Sequence, residues 1–351
     1  MKKLIVLATL AALPAAAMAD VTISGLVGVA VTNVKTGNAG SVNNMASQEG
    51  EVDFSGSEDL GNGLKAIWKY SHVFNTDNRD AATSNYETYI GLTGGFGRVQ
   101  LGGTDNAVRE IGAAGLADLP TVFGVHTTTT EDAIYKSSRK RLKDGITYVA
   151  PTFGGLTVAV SHGMKTADNN ETSTTSGTVS ATDGDGNPFT ADVSGTTTDG
   201  TQYATSLAAK YVVNDMFTVS YASNFTKKQS TNKTDRAQEI NARGSFGDFG
   251  LNVGYAWNKS YESASSSSKQ HAVAVSGSYS LGAATLIAGW YKQSDSKLDG
   301  VNQQDGYKNY TLGADYALSK RTNVGVEWSK EDRRGSDNDV RGFATYIYHA
   351  F

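Results

Sequence analysis

Leu251-Asn252-Val253-Gly254-Tyr255-Ala256-Trp257-Asn258 alternates without a break. Its odd positions are large and apolar and end in two aromatics. Its even positions are Asn, Gly, Ala and Asn. A β-strand sends successive side chains to opposite faces, so one face of this segment is apolar and the other small and polar. A soluble sandwich strand would usually carry more charge on its polar face. Apolar and aromatic residues facing small polar ones suit a strand standing between lipid and water.

The same pattern recurs along the chain. Val21-Thr-Ile23-Ser-Gly25-Leu-Val27-Gly-Val29-Ala-Val31 is mostly branched and apolar on one face, with Thr22, Ser24, Gly28 and Ala30 on the other. The stretches 203–213 and 217–225 repeat it. Sixteen such segments can be placed, at 21–33, 49–56, 63–73, 86–93, 97–103, 139–150, 156–163, 201–213, 215–226, 236–247, 249–259, 269–281, 283–293, 307–318, 320–331 and 338–351. Their connections alternate in length. Gly94-Gly95-Phe96, Asn214, Asp248, Gly282 and Ser319 are tight turns. The stretches 34–48, 164–200, 260–268 and 294–306 read as long polar loops. An even strand count with short turns at one end and long loops at the other predicts an all-β, transmembrane antiparallel barrel of sixteen strands. Short turns and both termini lie on the periplasmic side and long loops outside.

Composition agrees. The chain has 39 Gly, 17 Tyr, 4 Pro and no Cys. Without cysteine there is no disulfide framework and no thiolate chemistry. Lys2-Lys3, the apolar run 4–17 and the small-x-small site at 17–19 read as a signal peptide over residues 1–19, leaving 20–351 as one barrel domain. The net charge of −4 is too mild and too acidic for a nucleic-acid footprint.

One stretch stands apart. Residues 103–138 hold five acids (Asp105, Glu110, Asp118, Glu131, Asp132) and two bases (Arg109, Lys136) between two strand segments. Arg139-x-Arg141-x-Lys143 follows, with bases at every second position, which period 2 places on one face. The expectation is an acidic loop folded against a basic wall, with ions and small solutes passing between. Charge facing lipid costs ~2–4 kcal/mol per Lys or Arg at the midplane, so parity turns Lys69, Arg139, Arg141 and Lys143 inward, along with Glu239. Lys65, Arg98 and Arg243 also fall on inward positions, but near strand ends on the turn side, where they read as rim decoration.

Other chemistries find little support. Asp183-Gly-Asp185-Gly-Asn187 opens like a calcium loop, but Ser194 stands where the bidentate Glu belongs. His72, His126, His162, His271 and His349 show no ligand spacing, so neither a metal nor a cofactor is expected. There is no Gly-x-Ser-x-Gly elbow. Gly-rich 91–97 lies between two strands and reads as a hairpin rather than a phosphate cradle.

The motif from Ser55-Gly-Ser-Glu-Asp-Leu-Gly to Trp68 resembles a turn and strand of the general porins of Neisseria and other β-proteobacteria. Tyr89-Ile-Gly-Leu-Thr-Gly-Gly-Phe-Gly97, Tyr310 to Asn323 and the ending His349-Ala-Phe351 resemble them too. The resemblance implies an outer-membrane, homotrimeric general diffusion porin, not an enzyme, that passes ions and small hydrophilic solutes between outer-membrane lipids. It also implies that the third loop, 103–138, folds into the lumen as a constriction, and that Phe351 is read by the barrel-insertion machinery. Val108-Arg109-Glu110 resembles the family's apolar-basic-acidic triplet. Gly103-Thr-Asp-Asn106 and Thr147-Tyr148-Val149 each lack a base that the family carries there. A helical turn over 105–111 is expected, with Arg109 and Glu110 toward the lumen. The constriction set is then Asp105, Arg109, Glu110, Asp118, Lys69, Arg139, Arg141 and Lys143, with a slight anion preference from the lumen bases. The alternative is a non-conducting surface barrel acting as an adhesin, and a barrel hydrolase comes third.

Overall fold

The structure is a computed structural model that describes residues 20–78, 80–113, 141–164, 166–182, 188–334 and 339–351. Its strands are β1 (Asp20–Thr36), β2 (Val42–Gly61), β3 (Leu64–Val73), β4 (Ser84–Gly94), β5 (Gly97–Asp105), β6 (Arg141–Val149), β7 (Leu156–Gly163), β8 (Thr166–Thr182), β9 (Pro188–Val212), β10 (Phe217–Lys228), β11 (Thr234–Phe246), β12 (Phe249–Tyr261), β13 (Ser267–Leu281), β14 (Ala284–Gln293), β15 (Lys297–Leu298), β16 (Val301–Asn302), β17 (Tyr307–Ala317), β18 (Thr322–Arg333) and β19 (Val340–Ala350). One short helix, α1 (Ala107–Glu110), follows β5.

Antiparallel pairing runs from β1 to β7, passes from β7 to β9, continues to β14, crosses to β17 and ends with β19 paired to β1. Sixteen strands thus close on themselves, and closure removes the unpaired edges that an open sheet would expose. The other three strands belong to connections. β8 forms a hairpin arm with the first part of β9, and β15 and β16 pair with each other in the connection after β14. The stretches at 34–48 and 164–200 are therefore mostly paired strand rather than loop. Backbone ladders need no apolar face once water lies on both sides, so alternation alone underestimates their length. Residues 183–187, with the calcium-like opening, and residues 1–19 lie outside the described residues.

The faces follow the alternation. Outward positions hold Ile90 (63% exposed), Leu101 (48%) and Leu312 (55%), whereas inward Gln100 (1%) and Glu239 (0%) are buried. Large apolar groups outside and polar groups inside is the reverse of a soluble domain, and it gives this sheet a lipid-facing exterior. Aromatic pairs mark the short-turn end of the outer surface, such as Phe217 with Phe246 and Phe249 with Tyr279.

The seam between first and last strands is tight. The Gly25 and Phe351 backbones exchange two hydrogen bonds of 3.0 Å. A Cβ on Gly25 would come within 2.5 Å of both the Phe351 ring and the Glu51 carbonyl oxygen. The carbonyl is backbone and cannot swing away. Gly25→Val should therefore destabilise the closed barrel by about 1–3 kcal/mol through overpacking. The check is the temperature at which the folded barrel is lost on an unheated-versus-heated gel, and an unchanged temperature would refute the tight seam.

Candidate functional site: the inner wall and the third loop

The described part of the third loop, residues 103–113, lies against the inner wall. Asn106 caps α1, its side-chain oxygen accepting the Arg109 amide at 3.2 Å. The loop is then fastened by wall side chains. The Asn106 amide donates to Ser206 Oγ at 2.9 Å, and the Ala107 N–H donates to Ser161 Oγ at 2.9 Å. Ser220 Oγ and the Asn241 amide both donate to the Ala113 carbonyl, at 2.6 and 3.1 Å.

Strand register explains why these anchors line up. Ser161, Ser206 and Asn224 are direct cross-strand partners over β7, β9 and β10. The next inward row is Ala159, Ala208 and Ala222, continued by Glu239 on β11. Three alanines in register leave a shallow seat, and Ala107, Val108, Ile111 and Ala113 fill it as one buried cluster. The wall is small where the loop must lie and polar where the loop's backbone must be held.

Charges gather around this seat. Arg109 Nε lies 3.0 Å from Asp105 Oδ1, and Arg141 Nε lies 3.5 Å from the same oxygen. The Arg141 guanidinium also stacks 3.5 Å above the Tyr86 ring. Glu110 pairs with Arg98. Lys69 Nζ bridges Glu87 at 2.5 Å and Asp53 at 3.2 Å. Among the described residues, Lys69, Arg98, Arg109 and Arg141 thus pair with Asp53, Glu87, Asp105 and Glu110, and two further carboxylates stand beside them, Glu49 toward Arg141 and Glu51 toward Asp53 and Lys69.

The expected basic ladder changes in this arrangement. Between Gly102 and Thr104 the β5–β6 register shifts, so that Lys143 and Asp144 together oppose Gly103. Strict period 2 fails across such a bulge. Leu142, not a base, takes the buried inner position, 3% exposed and against Gly145 and Gly163. Arg141 still reaches Asp105, while Lys143 stands exposed within the bulge. The helical turn forms as expected, with Arg109 and Glu110 half-buried. Glu239 is fully buried on the inner face. Asp118 and Arg139 lie outside the described residues. Arg98, read from the sequence as rim decoration, is instead a direct partner of the loop. The anchors Ser161, Ser206, Ser220 and Asn241 were not singled out. Their signal, small polar residues at inward positions of successive strands, becomes visible only when the strands are in register.

Burial raises the carboxyl of Glu110 above the ordinary carboxylate range, with the Arg98 guanidinium pulling the other way and Glu87 and Asp105 adding to the rise. A raised acid contributes stability that is fully present below its unfolded value of ~4.3 and is lost as pH rises through the higher folded value. In the pore, acidification through that higher value removes one negative charge. The reversal potential should move toward anions at a pH above that of free carboxylates, and Glu110→Gln should abolish this portion of the titration. A titration identical in the two proteins would refute the assignment.

The family model for Gram-negative porin matches residues 5–336. The chain belongs to the Gram-negative porin family. Membership places this porin in the outer membrane, in keeping with its closed barrel and apolar exterior. It is similar to the major outer membrane protein P.IB of Neisseria meningitidis serogroup A, at 35% identity over 173 residues, covering 47% of this chain and 50% of that one. The porin spans about half the length of the curated relatives it matches at that level. It is similar at 27% identity to P.IB of Neisseria gonorrhoeae over 368 residues, covering 100% of both chains. Among solved structures, an anion-selective porin from Comamonas acidovorans has a TM-score of 0.70 at 18% identity, covering 95% of this chain and 100% of that one. This last likeness carries the fold alone.

Proposed function

We propose that this porin is a general diffusion channel, not an enzyme, which lets inorganic ions and small hydrophilic solutes cross the outer membrane through a water-filled lumen narrowed by its third loop. The observation that carries the reading is the fastening of residues 105–113 to the inner wall, with charged side chains around it. Asp105, Arg109, Glu110, Lys69 and Arg141 form the constriction, joined by Arg98, Asp53 and Glu87. Lys143, Asp118 and Arg139 complete the set named from the sequence. The leader at 1–19, a homotrimeric assembly and recognition of the terminal Phe351 by the insertion machinery belong to the same reading. Phe351 supports the last of these by lying directly beyond the final strand, at the seam.

Selectivity follows from pairing. Side chains near the narrowest point set ion preference, and screening over ~8 Å at physiological salt removes the influence of distant loops. Among the described residues Lys69, Arg98, Arg109 and Arg141 are each paired with a carboxylate, and Glu49 and Glu51 add negative charge beside them, so no basic excess remains and the channel discriminates only weakly between anions and cations. Among the described residues, intermingled pairs stand where the sequence suggested a basic wall facing an acidic loop. Liposome swelling with sugars of increasing size tests the channel reading. Small sugars should enter and large ones be refused, whereas no swelling with any sugar would point to a closed barrel.

A further inference from the structure

The inner wall carries a second group of polar side chains, on the short-turn side of the third loop. Strand register sets them in two rows. Lys210 of β9 opposes Ser220 of β10, and Ser220 opposes Asn241 of β11. Two residues nearer the short turns, Thr218 opposes Arg243, Arg243 opposes Asn252 of β12, and Asn252 opposes Ser276 of β13. The two-residue period places all of them on the lumen face, together with Ala208, Ala222 and Glu239 of the loop's seat.

Two cavities lie along these rows. One of about 230 Å³ is walled by Gly112 of the loop and by Lys210, Ser220 and Asn241. The other, of about 360 Å³, is walled in part by Asn252, Ser276 and the turn residue Asp215. Thr218 and Arg243 line both, so the two form one ledge directly beneath the loop. Small-molecule clefts run from roughly 300 Å³ upward, which makes the ledge large enough for a small solute.

Its chemistry is that of an anion bearing hydroxyl groups. Lys210 and Arg243 stand on either side of β10, two strand spacings or ~9–10 Å apart, and both side chains are long enough to close over Thr218. Lys210 makes no ion pair among the described residues. Asp215 is the one acid among the residues that line the two cavities. The Asn241 amide is taken by the Ala113 carbonyl, which leaves Asn241 Oδ1 without a protein partner, and Ser276 Oγ has none either. Both residues are buried, at 3% and 2% exposed. Buried polar atoms are nearly always hydrogen-bonded, and a χ1 rotation turns the Ser276 hydroxyl toward the ledge.

We infer that this ledge binds a hexose monophosphate, with the phosphate between Lys210 and Arg243 and the sugar hydroxyls along Thr218, Asn252 and Ser276. A phosphate dianion offers three oxygens to the two bases, and each contact is a charge-assisted hydrogen bond. The inference rests on the porin reading only for the route by which a solute reaches the lumen.

Calorimetric titration of the purified full chain in detergent with glucose 6-phosphate, glucose and inorganic phosphate tests the ledge. Glucose 6-phosphate should bind saturably. Glucose and inorganic phosphate should each bind at least about tenfold more weakly, because each makes only part of the contacts. Lys210→Gln should weaken glucose 6-phosphate at least about tenfold through the lost charge-assisted bond, and Lys210→Arg should keep most of the affinity. Ser276→Val should weaken glucose 6-phosphate and leave inorganic phosphate unchanged. The shift between unheated and heated samples on a gel reports that each variant is folded. No saturable binding, equal binding of the three probes, or native affinity in a folded Lys210→Gln variant would overturn the ledge. A native chain that binds glucose 6-phosphate yet carries no current in a bilayer would overturn the porin reading and leave the ledge standing.

Discussion

Val108→Asp is expected to admit sugars that the native pore refuses, and to turn a steady single-channel current into one that fluctuates between levels. Val108 is 0% exposed, and its neighbours are Ala107, Ile111, Ala113 and the alanines of β7, β9 and β10. A carboxylate placed there has no base within the alanine seat. An unpaired buried charge costs several kcal/mol, more than the loop's hydrogen bonds to Ser161 and Ser206 can offset at roughly 1 kcal/mol each. The loop should leave the wall while the sixteen-strand ladder, held by backbone hydrogen bonds between strands, remains closed. Liposome swelling with a series of oligosaccharides measures the size limit. A native size limit and a steady current in Val108→Asp would show that the alanine seat does not hold the loop.

Arg109→Glu combined with Arg141→Glu should make the channel clearly cation-selective. Both guanidinium groups lie on Asp105, at 3.0 and 3.5 Å. The double reversal changes the local charge by four units and leaves Asp105 among like charges. One unit charge at 4 Å is worth ~1 kcal/mol in water, about a fivefold change in local ion ratio, so the cation-to-anion permeability ratio should rise at least about fivefold. The shift should shrink at high salt, since screening shortens from ~8 Å to ~3 Å between 0.15 and 1 M. A reversal potential that does not move would place both residues outside the narrow zone. Val108→Asp tests where the loop lies and the double reversal tests what its charges do, so the two can fail separately.

Much of the barrel was legible because its physics is periodic. Lipid outside and water inside impose a two-residue period, and segments such as 249–259 or 307–318 reproduce β12 and β17 to within two residues at either end. Where water wets both faces the period carries no signal, and the paired stretches around 34–48 and 166–200 escaped notice. The lumen was legible only in part. Parity correctly turned Lys69 and Glu239 inward. It could not foresee the bulge that gives the inner position to Leu142, because a register shift depends on the partner strand as much as on the strand itself. The pairing of Arg98 with Glu110 joins a residue near the β4–β5 turn to one in the loop helix, and no local spacing encodes it. The alanine seat needed three strands in register before Ala159, Ala208 and Ala222 could be seen as one surface.

The proposed function rests on a water-filled lumen narrowed by a loop whose described bases are paired with carboxylates. Single-channel recording of the purified porin in a planar bilayer, under a salt gradient at neutral pH, tests it most directly. The porin should give discrete, long-lived conductance steps and a reversal potential close to zero. A bilayer that stays silent, or a reversal potential near the limit for a single ion sign, would contradict it.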